Sequence, residues 1–127
     1  MAVKYFNHPF AIIWNCSSFE YCRLKTRLSK VPIVNQEVCL WSDSRFVSFT
    51  SNRTFCAGLR DGSGPCNGDS GSGLMFHDAT TGRYQLRGIV SRSLYDRDEM
   101  TCDLTQYVVF VDVAKYLFWI QQQISAT

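Results

Sequence analysis

The sequence lacks long apolar runs, blocks of like charge and internal repeats, and these absences narrow the class of protein. Charged residues make up only 19% of the 127 residues, and the formal net charge is +2. So small a charge, scattered along the chain, gives no electrostatic basis for binding nucleic acid. No apolar stretch reaches the roughly 20 residues that a transmembrane helix requires. With 46% hydrophobic residues, the sequence predicts one folded domain without a membrane span.

Histidine and proline are scarce, with two and three residues, but six cysteines are many for this length. An even number of cysteines in a short chain is typical of disulfide-bonded proteins from an oxidising compartment. A zinc site is the alternative, but there is no C-x-x-C pair, and His8 and His77 lie at the wrong spacings. We therefore expect disulfides, and neither a metal nor a cofactor. Two glycosylation sequons, Asn15-Cys16-Ser17 and Asn52-Arg53-Thr54, agree with secretion.

The N-terminal segment does not match this secretory character. A signal peptide needs an apolar run of roughly 7 to 15 residues before a small-residue cleavage site. Here the run Phe10-Ala11-Ile12-Ile13-Trp14 is short and lies between His8-Pro9 and Asn15. Residues 1–30 show no clear period, and we expect no signal peptide among them.

Beyond residue 30, the apolar pattern predicts an antiparallel β-protein that ends in a helix. Thr80-Thr81-Gly82 predicts a hairpin turn. Asp112 is a suitable N-cap for a helix over about 112–124, whose apolar residues repeat with the helical period. Many short strands and one terminal helix favour an all-β barrel or sandwich. The strand-like runs are Val31–Val34, Arg45–Phe49, Gly73–Phe76, Tyr84–Ser91 and Tyr107–Val111.

A glycine-rich window carries the candidate chemistry. Residues 58–73 hold six of the eight glycines, which predicts a backbone that bends tightly there or lets another group approach closely. Within it, Gly68-Asp69-Ser70-Gly71 places a serine hydroxyl between glycines, close to Cys66. An exposed serine with N–H groups around it is what nucleophilic catalysis requires. Taken alone, however, the tetrapeptide is more often a simple turn.

Further motifs follow the order found in the C-terminal half of chymotrypsin-like and trypsin-like serine proteases. The chain resembles this family from about Val31 to Ile124, and is most similar to insect proteases of the gastrulation-defective type. The resemblance implies one six-stranded Greek-key antiparallel barrel over about 30–111, followed by the helix. It divides the chain into a poorly matched segment, 1–30, and a barrel with its helix, 31–127. The matching motifs are Val31-Pro32, Cys39, Phe55-Cys56-Ala57-Gly58, Cys66–Gly73, Gly88-Ile89-Val90-Ser91, Cys102-Asp103-Leu104, Tyr107–Phe110 and Val113 with Trp119.

The resemblance also implies roles for the residues around the serine. Ser70 would be the nucleophile of an acyl-enzyme mechanism, with the N–H groups of Gly68 and Ser70 as the oxyanion hole. Asp69 would pair with the amino group that zymogen cleavage frees. Residues Ser91, Arg92 and Ser93 would hold the substrate backbone as an added strand.

The family's disulfides would be Cys39–Cys56 and Cys66–Cys102. Cys16 and Cys22 are left over, and either pair with each other or include one cysteine that has lost its partner. An exposed apolar face is also expected, because the two barrels of the family pack together.

The substrate pocket departs from the family pattern. Gly64 stands where trypsin places a carboxylate, so a preference for Lys or Arg is unsupported; Asp61, nearby, is an alternative source of charge. Arg92 replaces a tryptophan, and Ser93 and Val108 replace glycines. The bulkier Val108 is expected to narrow the pocket.

The family's catalytic His and Asp have no counterpart in the sequence. Neither Ala-Ala-His-Cys nor Asp-Ile-Ala-Leu occurs, and the activation motif Ile-Val-Gly-Gly is absent. His77 follows Ser70 by seven residues, roughly 20 Å in an extended strand. The sequence therefore predicts a secreted serine endopeptidase domain that is truncated and inactive alone, with a protein or peptide substrate or a missing N-terminal barrel as its partner. The alternative is a non-catalytic secreted homologue that acts as a binding module.

Overall fold

The computed structural model describes residues 10–14, 26–66, 70–78 and 80–126. Nine strands, two short helices and a C-terminal helix with a 3-10 turn before it are present among them. In chain order the elements are β1 (Phe10–Trp14), β2 (Thr26–Lys30), β3 (Ile33–Val34), α1 (Gln36–Ser42), α2 (Phe46–Phe49), β4 (Thr54–Ala57), β5 (Gly73–Asp78), β6 (Arg83–Ser93), β7 (Tyr95–Asp96), β8 (Thr101–Cys102), β9 (Val108–Asp112), the 3-10 turn Val113–Tyr116 and α3 (Leu117–Ser125).

Seven strands form one antiparallel sheet in the order β2-β1-β5-β6-β9-β4-β3, and β7 pairs with β8 in a separate ribbon. The mostly-β architecture with a C-terminal helix is therefore confirmed. No closed barrel is formed by the described strands, because the order of the main sheet is linear. The six-stranded Greek-key barrel that the resemblance implied is not confirmed.

The part of the sheet formed by β9 and β4 is buried on both faces. In β4, Phe55 and Ala57 face one apolar cluster, while Cys56 between them faces a second cluster. β9 alternates in the same way, and its Phe110 ring stacks on Phe55 with the centroids 5.5 Å apart. Strands with two buried faces are continuous apolar runs rather than alternating ones. The run Val108–Val111 fits this arrangement.

One strand prediction is wrong: Arg45–Phe49 does not form a strand, because Phe46–Phe49 is a short helix, α2. Phe46 is fully buried and Val47 is 67% exposed, so the apparent alternation arises from one buried helical position beside an exposed one. The Asp43 carboxylate accepts from Arg45 N (2.9 Å) and so stabilises the turn before α2. The helix α1 was also missed, although Asn35 caps it by accepting from Glu37 N at 2.8 Å.

The other predicted elements are confirmed within a few residues. The turn between β5 and β6 includes Gly82, which has φ +70° and donates to Asp78 O at 2.8 Å. Asp112 caps the C-terminal segment by accepting from Ala114 N at 3.2 Å, and its carboxylate is also paired with Arg87. The helical period from Val113 onward is divided between the 3-10 turn and α3.

Two strands lie in the segment where no period was found. β1 pairs with β2 along its whole length and with the start of β5 through Phe10–Met75 and Ala11–Leu74. The proposed division at residue 30 stays a prediction. None of the helices among the described residues has the length and hydrophobicity to span a bilayer.

Candidate active site

Ser70 lies in a tight turn that is fastened to the middle of the sheet. The turn is held on both sides of one β6 residue, because Gly71 N donates to Val90 O and Val90 N donates to Ser72 O, each at 2.9 Å. Gly71 has φ +89°, a backbone conformation that side chains other than glycine rarely adopt. The glycine after the serine is therefore required by the turn. The result is an exposed Ser70 at a fixed place beside β6.

The Ser70 hydroxyl is only loosely held. Its Oγ donates to Ser91 O at 3.5 Å, which is long for an O–H···O bond. A hydroxyl with so weak a partner is available to another acceptor or to an electrophile. His77 is not placed to activate it, because β5 starts at Gly73 and runs away from Ser70 towards the Asp78–Arg83 turn. Four residues of strand separate His77 from Gly73, about 13 Å.

Two of the predicted catalytic positions, Gly68 and Asp69, lie outside the described residues, as do His8, Cys16, Cys22 and the sequon at Asn15. The oxyanion hole and the pairing of Asp69 with a new amino terminus therefore stay predictions.

The predicted substrate strand has one edge that the described strands do not cover. Pairing of β5 with β6 ends at Gly73–Ile89, whereas β9 continues on the other side as far as Ser93–Val108. A bulge between Val90 and Arg92 leaves Ser91 without a partner in β9. Ser91 and Arg92 are exposed, and the binding of an extended peptide along Ser91–Ser93 stays a prediction.

Arg92 is held over an aromatic ring that sequence reasoning did not connect with the site. Its guanidinium carbon lies 4.4 Å from the centroid of the Phe49 ring, a cation–π contact. Phe49 comes from α2, where a strand was predicted, so nothing in the sequence pattern linked it to Arg92. The contact orients a positive charge beside Ser91.

The predicted pocket residues lie in different surroundings. Gly64 has φ +133°, and a Cβ built there would meet only Leu104 Cδ2, at 3.9 Å. Val108 is 2% exposed and packs with Val31 and Leu74 in a buried apolar cluster. Its side chain therefore fills the sheet interior next to Ser93.

Asp61 is exposed and its carboxylate is already engaged. Asp61 Oδ1 accepts from Ser63 N at 2.9 Å and also from the Ser63 hydroxyl. These hydrogen bonds from Ser63 favour the ionised form and lower the pKa of Asp61. The loop is fastened by Gly62 N, which donates to Leu104 O at 3.2 Å. The Asp61 carboxylate is thus hydrogen-bonded within its own loop.

Both disulfides that the resemblance implied are confirmed. Cys39–Cys56 joins α1 to β4 with a Cα–Cα distance of 6.1 Å. Cys66–Cys102 joins the segment before Ser70 to β8, with a Cα–Cα distance of 5.6 Å. The second bond therefore ties the serine loop to the β7–β8 ribbon.

Known proteins of one family match this chain. The trypsin family model matches residues 14–120. The chain is 35% identical over 109 residues to "Serine protease gd" of Drosophila melanogaster, covering 74% of the chain and 20% of that protein. It is 37% identical over 100 residues to coagulation factor XII of Sus scrofa (77% and 15%) and 36% identical over 98 residues to trypsin of Pleuronectes platessa (76% and 33%).

These matches span a third or less of the length of each of these relatives. They nevertheless run through most of this chain, including Ser70, both disulfides and the strand edge at Ser91. Because the family model covers well over half of the residues, the chain belongs to the trypsin-like serine protease family.

Proposed function

We propose that this chain is part of a serine endopeptidase and that Ser70 is its nucleophile. The observation that carries the proposal is the turn at Ser70, which is held to Val90 by two backbone hydrogen bonds and leaves Ser70 exposed beside a strand edge that the described strands do not cover. The family relationship supports the same assignment.

The proposed reaction proceeds through an acyl-enzyme. Ser70 Oγ attacks the carbonyl carbon of the scissile peptide while a base takes the hydroxyl proton. The N–H groups of Gly68 and Ser70 stabilise the oxyanion that forms. The C–N bond then breaks, the base returns its proton to the leaving amine, and water hydrolyses the ester to free Ser70. Asp69 is proposed to order this loop by pairing with an amino group.

The substrate is proposed to be an extended protein segment that adds to β6 along Ser91–Ser93. Main-chain hydrogen bonds supply the affinity in this mode, and side-chain pockets supply the specificity. Gly64 offers no carboxylate, Asp61 is engaged by Ser63, and Val108 is buried. These three features argue against a deep acidic pocket for Lys or Arg. Arg92 instead presents a positive charge beside the substrate strand.

The base is proposed to come from outside these 127 residues. No histidine in the sequence lies in the family's triad motif, and β5 carries His77 away from Ser70. The chain also spans a third or less of the length of its relatives. We propose that residues 31–127 correspond to a C-terminal Greek-key barrel, that an N-terminal barrel supplies the His and Asp, and that the protein acts extracellularly. The chain on its own is then inactive as a protease.

A fluorophosphonate probe tests the nucleophile and the missing base together. The probe labels only an activated serine. The oxidised 127-residue chain is expected to show no rapid labelling, since a triad without its base retains only a residual acceleration of roughly 10³ to 10⁴ over water. Fused behind the N-terminal barrel of a related trypsin-like protease, the chain is expected to be labelled on Ser70.

Two serine variants in the same loop provide the controls. Ser70→Ala is expected to abolish labelling of the fusion, whereas Ser72→Ala keeps the flanking glycines and is expected to retain it. Rapid labelling of the chain alone, lost in Ser70→Ala, would show that a base within these residues activates the serine. A correctly oxidised fusion that is never labelled would refute the protease and favour the alternative, a non-catalytic binding module that uses the edge at Ser91–Ser93.

A further inference from the structure

We propose that Asn52 is an N-glycan acceptor, a modification site separate from the catalytic machinery. Asn52-Arg53-Thr54 is a sequon, and the structure places its first two residues in the exposed turn between α2 and β4. The Asn52 side-chain amide makes no hydrogen bond to another described residue. Glycosylated asparagines lie on surface turns of secreted proteins. The proposal requires passage through the secretory pathway, which the two disulfides support.

The modification joins two groups and releases a third. The side-chain amide nitrogen of Asn52 bonds to C1 of the first sugar of a lipid-linked oligosaccharide, and the bond from C1 to the lipid pyrophosphate breaks. The amide proton passes to a base on the transferase, and the lipid pyrophosphate leaves. No residue of this chain needs to supply an activating group.

The folded turn indicates when the transfer takes place. Thr54 Oγ1 accepts from Ser51 N at 2.9 Å and donates to Ser51 O at 3.2 Å. The transferase recognises the hydroxyl of the sequon, which is engaged with Ser51 once the turn has closed. The sugar is therefore added before this turn forms, while the Thr54 hydroxyl is still free.

A glycan at Asn52 is compatible with the folded protein and with an open substrate edge. β4 pairs with β9 from Thr54–Val111 at one end to Ala57–Val108 at the other. Ser93 pairs with the same Val108, so the substrate edge lies at the end of β4 distant from Asn52. Three residues of strand separate the ends, about 10 Å, and Asn52 lies beyond the far end. Asn52 thus lies at the opposite end of β4 from Ser93.

The turn itself is anchored at the start of the C-terminal segment. Arg53 O accepts from Asp112 N at 2.8 Å, and the Arg53 guanidinium carbon lies 5.6 Å from the centroid of the Tyr116 ring. The backbone and side chain of Arg53 are therefore fixed, while the neighbouring Asn52 is exposed. A large substituent is accommodated there without displacing a packed group.

Expression of the full chain behind a secretory leader tests the proposal. The other sequon, at Asn15, is removed by Asn15→Gln, so that any remaining N-glycan must be attached to Asn52. We expect one glycan, seen as a mass increase that peptide N-glycosidase F removes while converting Asn52 to Asp. Asn52→Gln and Thr54→Ala are each expected to abolish the increase. Ser51→Ala, an equally small change next to the sequon, and Thr54→Ser, which keeps the hydroxyl, are expected to retain it.

The outcome is separable from that of the proposed protease. A secreted chain with Cys39–Cys56 and Cys66–Cys102 formed and Asn52 unmodified would overturn the glycan site and leave the extracellular protease standing. A glycan that persists in Asn52→Gln would overturn it as well. A glycosylated chain whose Ser70 is never labelled in the fusion would confirm the glycan and refute the protease.

Discussion

Gly88 is the residue whose lack of a side chain matters most to the packing of the sheet. A Cβ placed there would lie 2.6 Å from Phe55 Cζ and 3.2 Å from Val111 O. Phe55 is held by two neighbours, because its ring stacks on Phe110 and its centroid lies 4.8 Å from the guanidinium carbon of Arg87. Gly88→Ala is expected to lower the free energy of unfolding by about 1–3 kcal/mol, as overpacking does. Urea denaturation of the oxidised wild-type and Gly88→Ala chains measures this change in the free energy of unfolding.

Gly73→Ala is the matched control for that prediction. Its Cβ would meet Leu86 Cδ1 at 3.0 Å, but this atom is the end of a flexible side chain that is 45% exposed. Leu86 can turn away, so the cost is expected to be smaller than at Gly88. Equal urea midpoints for the two variants would contradict the assigned role of Phe55.

Asp43 gives a prediction about pH. Its carboxylate accepts from Arg45 Nε at 3.0 Å and from Arg45 Nη2 at 2.8 Å, and these hydrogen bonds lower its pKa from 3.8 to about 2. A carboxylate whose pKa is lower in the folded state than in the unfolded state stabilises the folded protein at pH values above its unfolded pKa. This stabilisation is lost as the pH falls through the folded-state pKa. Asp43→Asn is therefore expected to destabilise at pH 7, by less than about 1 kcal/mol because the pair is partly exposed.

The difference between wild type and Asp43→Asn is expected to shrink between pH 4 and pH 2. Unfolding curves at pH 7, 4, 3 and 2 measure it. Asp61→Asn is a useful comparison, because its pKa is also lowered but its hydrogen bonds come from Ser63 rather than from an ion pair. A constant difference for Asp43→Asn down to pH 2 would contradict the ion pair with Arg45.

The two disulfides close loops of different length and join different pairs of secondary-structure elements. Cys39 and Cys56 are 17 residues apart, and Cys66 and Cys102 are 36 apart. Loop-entropy estimates give about 3 and 4 kcal/mol. Replacing both Cys66 and Cys102 with Ser is expected to increase hydrogen exchange in residues 60–72 first, because this covalent bond ties the segment before Ser70 to β8. Hydrogen-exchange mass spectrometry measures the exchange of each segment.

Replacing Cys39 and Cys56 with Ser is the control for that experiment. This bond joins α1 to β4, so the early increase in exchange is expected in residues 36–57 instead. Exchange that rises equally throughout both segments in both variants would show that neither disulfide acts locally.

The sequence predicted most strands after residue 30 because they are continuous apolar or alternating runs between turn residues. Val108–Asp112 and Arg83–Ser93 are of this kind. It failed at Phe46–Phe49, where a four-residue helix is too short for helical periodicity to be distinguished from alternation. It also missed β1 and β2, because β1 is held by a long-range pairing with β5 that no local pattern reports, and β2 pairs with β1.

Features of the candidate site that lie within one short sequence motif were predictable, whereas contacts between distant segments were not. Ser70 and Gly71 belong to one motif, and the two disulfide pairings followed from the family resemblance. The two backbone hydrogen bonds from this turn to Val90 and the contact of Arg92 with Phe49 join residues far apart in sequence. Such contacts depend on the sheet order and on α2, which the sequence pattern did not give.

The apolar barrel face that the resemblance led us to expect stays a prediction, but α3 carries several exposed apolar side chains. Leu117, Phe118, Trp119 and Ile124 are 52%, 74%, 60% and 68% exposed. A cleft of about 260 Å³ lies beside them, and its lining is Leu86, Ile89, Val111, Val113, Tyr116, Trp119 and Ile120. Exposed apolar side chains beside an apolar cleft favour association.

The oxidised chain alone is therefore expected to self-associate through α3. Phe118→Ser combined with Trp119→Ser is expected to shift it towards the monomer in sedimentation velocity, without a large loss of stability, since both side chains are mostly exposed. Trp41→Ser is the control: Trp41 is 89% exposed but lies on α1, so its removal is expected to leave the association unchanged. If wild type and the double variant sediment alike at every concentration, α3 is not the surface responsible. If Trp41→Ser alone restores the monomer, the association is through α1 instead.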